Sequence, residues 1–442
     1  MSEYLSKEQF NQNLIEFLNQ SPTPFHAVSA LKRQLESSGF KPLLETDVWQ
    51  LTAGARYYVT RNDSSIVAFV NGMTDPISTG VRIIGAHTDS PNLKVKPQPE
   101  MSKNGYFQLG VEVYGGALLA TWFDRDLSLA GRVTYRNSNG QLGSKLIDFK
   151  RPIATVASLA IHLDRTQNES RSINSQTDIP PILGQLVDGE KRTFREILKR
   201  QVLNQYPDVD VDEVLDYEMS FYDTQSAAVI GFDQEFLAGA RLDNLLSCFV
   251  GLQALLRSDG QQSAVLVCND HEEVGSSSTS GADGPLLQQV LRRWANSHDN
   301  YCRMADNSMF ISVDNAHAIH PNFASRHEAN HGPILNKGPV IKVNANQRYA
   351  SNSATQAIFR NLCHKFKTPV QDFVTRTDLA CGSTIGPITS AGTGIRTLDI
   401  GLPTFGMHSV RELAGTSDAY NTVDILAAFY ELIEVSSAES HK

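Results

Sequence analysis

Strands and helices alternate along the chain from about residue 240 onward. The stretch LDNLLSCFVGLQALLRS has apolar residues at helical spacing, SAVLVC is typical of a buried strand, and GPLLQQVLRRWANS is again helical. The strand pattern MFISVD follows, and the helix pattern ATQAIFRNLCHKF and the strand pattern IRTLDIGL come later. Alternation of this kind predicts an α/β sandwich, in which helices cover a central sheet.

The middle of the chain has a different pattern. Strand patterns at Tyr106–Tyr114 and Gly131–Tyr135 are separated by Gly-Gly and Asn-Ser-Asn-Gly turns, and such spacing indicates β structure without crossover helices. We therefore predict an inserted β-rich domain at residues 95–229. Residues 1–94 and 230–442 are expected to form the other domain together.

Composition excludes several classes of protein. The chain has 442 residues, a net charge of −9 and no basic stripe, which argues against nucleic acid as a partner. Its apolar runs are too short to span a membrane, and the N-terminus lacks the features of a signal peptide, so a cytoplasmic location is expected. The five cysteines are scattered without a CxxC pair, which disfavours both a disulfide framework and a cysteine zinc site.

Polar side chains recur where the predicted strands end. They are His87 with Asp89, Glu272 with Glu273, Asp314 and His408, and Asp243 opens a helix nearby. Each has a plainer explanation alone: Asp243 could cap the helix, Asp314 could begin a turn, and the glutamate pair could be solvated. Ligands of α/β sheets bind at the carboxyl ends of strands, and this set of N and O donors suits one or two zinc-like ions.

Nine motifs in order resemble those of the M18 metallopeptidases, and the likeness is closest to the aspartyl aminopeptidases. They are GAHTDSP (85–91), YGGALLATWFDRDLSLAGRV (114–133), LAIHLDR (159–165), ARLDNL (240–245), HEEVGSSS (271–278), SVDNAHAIHPN (312–322), GPVIKVNANQRYA (338–350), CGSTIGP (381–387) and GMHSVRE (406–412). The resemblance implies a zinc-peptidase-like catalytic domain, a three-layer α/β/α sandwich with a mixed sheet. It also implies that the inserted β-rich domain serves dimerisation.

The resemblance implies two divalent metal ions in each subunit, with Zn²⁺ expected and Co²⁺ or Mn²⁺ able to replace it in one site. Asp243 is the implied bridge between the two ions. His87 and Asp314 complete one ligand set, and Glu273 and His408 complete the other.

The catalytic roles also follow from the resemblance. Glu272 is implied to be the general base that takes a proton from a water activated by the metal pair. Asp89 is implied to hydrogen-bond the far nitrogen of His87 and fix its tautomer. His271, where some relatives carry Asn, is expected not to bind metal.

Lys342 interrupts an apolar strand, and by pattern alone it reads as an outward-facing or edge lysine. The resemblance instead implies that Lys342 pairs with the acidic side chain of a substrate. Because an acidic protein repels anions, such a local cation is what an acidic substrate would need. The expected substrates are short peptides with a free N-terminus, with Asp preferred over Glu.

Several histidines remain. His162 reads as a structural strand residue, but the resemblance implies that it reaches the active site of a neighbouring subunit. The implied assembly is a tetrahedral dodecamer built from dimers. Four further histidines are interpreted as loop residues, namely His317, His320, His327 and His331.

Three alternatives stay open at the level of sequence. The same ligands would serve a dizinc aminopeptidase of broad or neutral specificity. A related carboxypeptidase or amidohydrolase could use similar metals. A non-catalytic, metal-stabilised scaffold is also compatible with the fold, although such a scaffold has no need of an acid like Glu272 beside the water.

Overall fold

The computed structural model describes residues 5–187 and 192–435. The chain divides into two compact units. The first comprises Met1–Asp89, Ala227–Met407 and Glu412–Lys442, and the second comprises Ser90–Ser226 and His408–Arg411. The predicted breaks lie after residues 94 and 229, and the predicted division kept residues 408–411 in the first unit.

The N-terminal part of the first unit contains helices and strands in this order: α1 (Lys7–Asn19), α2 (Pro24–Ser37), β1 (Lys41–Pro42), β2 (Arg56–Arg61), β3 (Ser65–Val70), α3 (Pro76–Thr79) and β4 (Arg82–His87). The second unit follows with β5 (Asn92–Lys103), β6 (Tyr106–Tyr114), β7 (Leu127–Arg136), β8 (Leu142–Asp148), β9 (Ile182–Gln185), α4 (Phe194–Gln205) and β10 (Glu213–Asp223). The chain then returns to the first unit.

The C-terminal part of the first unit contains β11 (Ala228–Ile230), β12 (Phe236–Gly239), α5 (Leu242–Arg257), β13 (Ala264–Asn269), α6 (Leu286–Ala295), α7 (His298–Asp306), β14 (Met309–His317), β15 (Val340–Lys342), α8 (Ser353–Lys365), β16 (Gln371–Phe373), α9 (Ile385–Thr393), β17 (Arg396–Phe405), β18 (Glu412–Gly415) and α10 (Asp418–Tyr430). Short 3₁₀ turns lie at Leu119–Trp122 in the second unit and at Glu272–Val274 and Ala324–Arg326 in the first.

The first unit is built on a mixed sheet with the strand order β1-β2-β3-β13-β4-β14-β17-β18-β12-β11, and β15 and β16 pair beside β17. Its centre, β13-β4-β14-β17, is parallel. Alternate residues of β13 enter different cores: Leu266 and Cys268 pack among residues of α5 and α10, whereas Val265 and Val267 pack among residues of α6 and α7. Helices therefore cover both faces, and the predicted three-layer α/β/α sandwich is confirmed.

The second unit has an antiparallel sheet with the order β8-β7-β10-β5-β6-β9. Helix α4 lies against β10 and β8, and it buries Phe194, Leu198 and Val202 completely. These three residues are four positions apart and so share one helix face. The β-rich prediction for this block did not include a helix, although FREILKRQVLNQ has apolar residues at helical spacing.

Helix starts in the first unit follow capping chemistry. At α1 the Ser6 hydroxyl accepts the Gln9 N–H at 3.2 Å, and the Gln9 side chain accepts the Ser6 N–H at 3.0 Å, which forms a capping box. At α8 the Asn352 side chain accepts the N–H groups of Ala354 and Thr355. Within residues 5–187 and 192–435, no helix has the length and apolar character needed to cross a bilayer.

Candidate metal centre

Three adjacent parallel strands bring the predicted ligands to one edge of the sheet. In the order β13-β4-β14, His87 at the end of β4 is in register with Asn269 of β13, and Gly85 is in register with Ser312 of β14. Asp314 lies two residues beyond Ser312, as His87 lies two beyond Gly85. The register therefore places Asp314 level with His87, at the carboxyl edge where α/β sheets bind ligands.

His87 is at the middle of this edge and is 2% exposed. Its Nδ1 lies 3.0 Å from the main-chain oxygen of Asp89 and 3.3 Å from the Asp89 carboxylate. Nδ1 therefore carries the hydrogen in the neutral ring. Its Nε2 faces three acids, at 3.3 Å from Asp243 Oδ1, 3.7 Å from Asp314 Oδ1 and 3.9 Å from Glu272 Oε2.

The buried carboxylate of Asp89 holds the turn that presents the two glutamates. Its Oδ1 accepts the main-chain N–H of Glu272, and its Oδ2 accepts that of Glu273, both at 3.1 Å. Left-handed backbone at His271 (φ 64°) and Gly275 (φ 96°) brackets the turn. Asp89 therefore does more than contact His87 as predicted, because it also fixes the backbone of Glu272 and Glu273.

Asp243 reaches the site from the start of α5 and is 4% exposed. It does not cap the helix: the capping position is occupied by Arg241, whose side chain makes no cap hydrogen bond. The main-chain N–H of Asp243 donates to Glu412 Oε2 at 2.9 Å, and the Asn244 side chain donates to the carbonyl of Val313 at 3.0 Å. These bonds join the start of α5 to β14 and β18.

Lys342, at the end of β15, points inward and is 3% exposed, so the interpretation as an outward-facing lysine is wrong. Its Nζ donates to Asp314 Oδ2 at 3.1 Å and to the carbonyl of Asn315 at 2.8 Å. Nζ also lies 5.2 Å from the centre of the Tyr349 ring. The lysine thus provides a buried positive charge directly behind a predicted metal ligand.

The ionisable groups of the centre perturb one another strongly. Burial, together with the neighbouring carboxylates, raises the pKa of Glu272 to about 7, and burial raises the pKa of Glu273 further. Burial opposes the charged form of Asp314 as well, but Lys342 and His87 outweigh it and hold the pKa of Asp314 below its usual value. Negative charge is therefore in excess, which a divalent cation would offset.

The donor set fits such a cation. His87, Asp243 and Asp314 form one group of possible ligands, and His87, Glu272 and Glu273 form another, each with ligand atoms within 4.8 Å of one another. One imidazole nitrogen and several carboxylate oxygens match the preference of zinc and similar divalent ions.

Two predicted site residues belong to the second unit. His408 begins the segment 408–411, and its Nδ1 lies 3.1 Å from the carbonyl oxygen of Gly116. His162 is exposed and lies in a turn rather than in a strand. Their proposed roles, as metal ligand and as donor to a neighbouring subunit, stay predictions.

A cavity of about 300 Å³ in the first unit was not predicted. His317, His320 and His327 line it together with Tyr349. His317 ends β14, so the prediction of a loop residue is wrong for it, whereas His320 and His327 do lie in loops. The recurrence of histidine in HAIHPN and RHEANH is the sequence signal for this cavity. The fourth, His331, pairs with Glu328 instead.

A histidine and several carboxylates at the carboxyl edge of a three-layer α/β/α sandwich are the features of a metal-dependent hydrolase. Between residues 17 and 430 the sequence matches the family described as Aminopeptidase I zinc metalloprotease (M18). The chain belongs to the M18 family and is accordingly a metalloaminopeptidase.

Relatives and solved structures agree with this membership. A probable M18 family aminopeptidase 2 of Pseudomonas paraeruginosa is 59% identical over 429 residues, covering 97% of this chain and all of the relative. Among solved structures, "Cryo-EM structure of the Ape4 and Nbr1 complex" superimposes with a TM-score of 0.92 at 38% identity, covering 96% of this chain and 86% of that one. "Structure of S. cerevesiae mApe1 dodecamer" gives 0.84 at 27% identity, covering 96% and 97%.

Proposed function

We propose that this metalloaminopeptidase uses two metal ions and removes acidic residues, Asp before Glu, from the N-termini of short peptides. The observation that carries the proposal is the convergence of four carboxylates, from Asp243, Asp314, Glu272 and Glu273, around His87. Such a site suits hydrolysis at a carbonyl group. In an M18 aminopeptidase that carbonyl belongs to a peptide bond.

The proposed ligands divide into two sets. Asp243 would serve both ions, His87 and Asp314 would complete one set, and Glu273 and His408 would complete the other. When bound, the ions supply Lewis-acid activation of a water and of the substrate carbonyl. Zn²⁺ is the expected occupant, and Co²⁺ or Mn²⁺ is compatible with the same donors at one site.

The protein's own groups move the protons. Glu272 is the proposed general base: it accepts a proton from the attacking water on its carboxylate and returns that proton to the leaving amine. Asp89 supports this role because it holds the Glu272 backbone through a 3.1 Å hydrogen bond.

The acidic preference rests on Lys342. An ammonium group has three N–H donors, and two of them go to Asp314 and to the carbonyl of Asn315. We propose that the third donates to the side-chain carboxylate of the substrate. A broad or neutral specificity is the second candidate, and it is favoured by the low exposure of Lys342, which is 3%.

We also propose a homo-oligomer, since one solved relative is described as a dodecamer. In this arrangement the second unit mediates dimer contacts and His162 serves the neighbouring subunit's active site. The exposure of His162 is compatible with such a contact. Light scattering coupled to gel filtration measures the mass, and a fully active monomer would contradict the arrangement.

The decisive experiment combines metal analysis with turnover. The purified protein is assayed on Asp-Ala, Glu-Ala and Leu-Ala, and on N-acetyl-Asp-Ala as the control. The proposal expects bound divalent metal, cleavage in the order Asp, Glu, Leu, and no cleavage of the acetylated peptide. If Leu-Ala is cleaved as fast as Asp-Ala or faster, the aminopeptidase activity stands but the acidic preference is excluded. Cleavage of the acetylated peptide would instead favour a carboxypeptidase or amidohydrolase.

A further inference from the structure

The unpredicted cavity adjoins the candidate metal centre. His317, on its wall, follows Asp314 by three residues on β14, and Tyr349, also on the wall, contacts Lys342 through its ring. Its volume of about 300 Å³ is at the lower end of the range of ligand pockets, roughly 300–1,000 Å³. A cavity in this place is suited to part of a short peptide.

Main-chain hydrogen bonds fix the tautomers of two histidines on the cavity wall. The Nδ1 of His320 accepts the N–H of Asn322 at 3.2 Å, and the Nε2 of His327 accepts the N–H of His320 at 3.2 Å. A ring nitrogen that accepts a hydrogen bond carries no hydrogen, so the other nitrogen of each neutral ring must carry one. His320 Nε2 and His327 Nδ1 are therefore donors.

Arg326 adds a positive charge to the same wall. Its guanidinium makes no hydrogen bond or ion pair with any residue in 5–187 and 192–435, and it is exposed. The other arginine on the wall, Arg376, is engaged by Asp378 at 2.6 and 2.9 Å. Glu328 is engaged by His331. The acids beside the cavity therefore have partners already, whereas Arg326 and the two imidazoles retain donors.

We propose that Arg326, His320 and His327 form a carboxylate subsite in the substrate cavity. Two ring N–H donors and a guanidinium recognise a carboxylate, for which guanidinium groups have matching geometry. The carboxylate has two possible sources: the side chain of an acidic N-terminal residue, which this subsite would then share with Lys342, and the C-terminal carboxylate of a short peptide. The inference rests on the proposed peptidase function and extends it to a specificity-determining residue, Arg326.

The test compares each carboxylate with its uncharged counterpart. The metal-loaded protein is assayed on Asp-Ala against Asn-Ala, which probes the side chain, and on Ala-Ala against Ala-Ala-amide, which probes the C-terminus. Loss of a hydrogen bond to a charged group changes binding by about 10- to 100-fold. Arg326→Gln is expected to lower one of the two acid-to-amide ratios of kcat/KM by that factor, mainly through KM.

Controls separate recognition from general damage. Arg326→Lys retains the charge and is expected to recover most of the ratio, and Arg303→Gln, at an exposed arginine of α7, is expected to change neither ratio. His327→Phe removes the ring donor and also the acceptor of the His320 N–H, so the same ratio should fall and the thermal midpoint should fall with it. The pair that responds identifies the source of the carboxylate.

Two results would overturn the inference, and they are distinguishable. If Arg326→Gln leaves both ratios within about threefold of the wild type, below the change expected for a charged hydrogen bond, the subsite is wrong and the peptidase function stands. If the metal-loaded wild type cleaves none of the four peptides, the proposed function fails and the subsite fails with it.

Discussion

Asp89→Asn is the substitution that most directly tests how the candidate metal centre is held. The Asp89 side chain is fully buried, and each of its oxygens accepts one main-chain N–H, from Glu272 and from Glu273. Asparagine has almost the same shape but offers a single acceptor oxygen. One of the two N–H groups must then face an amide NH₂ and lose its partner.

The smallest cost follows from that one lost main-chain bond. A buried hydrogen bond to a charged group contributes about 1.5–3 kcal/mol, and an unsatisfied buried donor costs a similar amount. The two values describe the same loss, so they are not added. We therefore expect the free energy of unfolding to fall by about 2–3 kcal/mol. Removing a negative charge relieves repulsion in the metal-free protein, so the comparison is made on metal-loaded protein.

Urea unfolding, followed by circular dichroism, measures the change. Metal affinity should weaken as well, by about 10- to 100-fold, because misplaced groups around a ligand typically cost that much. Asp283→Asn is the control, since Asp283 is exposed and its carboxylate accepts a hydrogen bond from Ser277 alone among the described contacts. If Asp89→Asn resembles this control in both stability and metal affinity, the turn does not depend on Asp89.

Three other predictions concern the chemistry. Glu272→Gln should retain its metal while kcat falls by about 10²- to 10⁴-fold, and more than a few per cent of residual turnover would contradict a proton-transfer role. Exhaustive chelation should abolish activity, and restoring Zn²⁺ to 100 times its Kd should stabilise the protein by about 2.7 kcal/mol in a thermal melt; undiminished activity after chelation would refute metal dependence. In metal-free protein, Lys342→Met leaves the buried Asp314 without its hydrogen-bonded cation, so unfolding should become easier by about 3–5 kcal/mol. In metal-loaded protein, KM should rise more for Asp-Ala than for Leu-Ala, and equal changes in KM would remove Lys342 from substrate recognition.

The sequence could bring His87, Glu272 and Asp314 together because each follows an apolar run that reads as a buried strand. Parallel strands share one carboxyl edge, so residues after them are neighbours even when far apart in sequence. The order β13-β4-β14 itself has no local signature, since it is decided by packing among strands that are distant in the chain.

The features that could not be predicted from the sequence depend on contacts between distant residues and not on local pattern. Lys342 read as an edge lysine because nothing local indicates that it pairs with Asp314, 28 residues earlier. The donors of His320 and His327 depend on which ring nitrogen a main-chain N–H approaches, which no spacing rule reveals. Helix α4 is a different case: FREILKRQVLNQ has helical spacing, but the strand patterns on both sides of it favour β structure for the whole block.

The position of β4 between β13 and β14 has a consequence for synthesis of the protein. Both neighbours of β4 emerge from the ribosome long after it, because the whole second unit, Ser90–Ser226, is translated first. β2 and β3 can pair as a hairpin at once, but the apolar run Arg82–His87 must wait for partners more than 170 residues downstream, beginning at Ala264. A nascent chain that stalls before residue 264 would leave this apolar run exposed. We expect that form of the protein to need protection by chaperones.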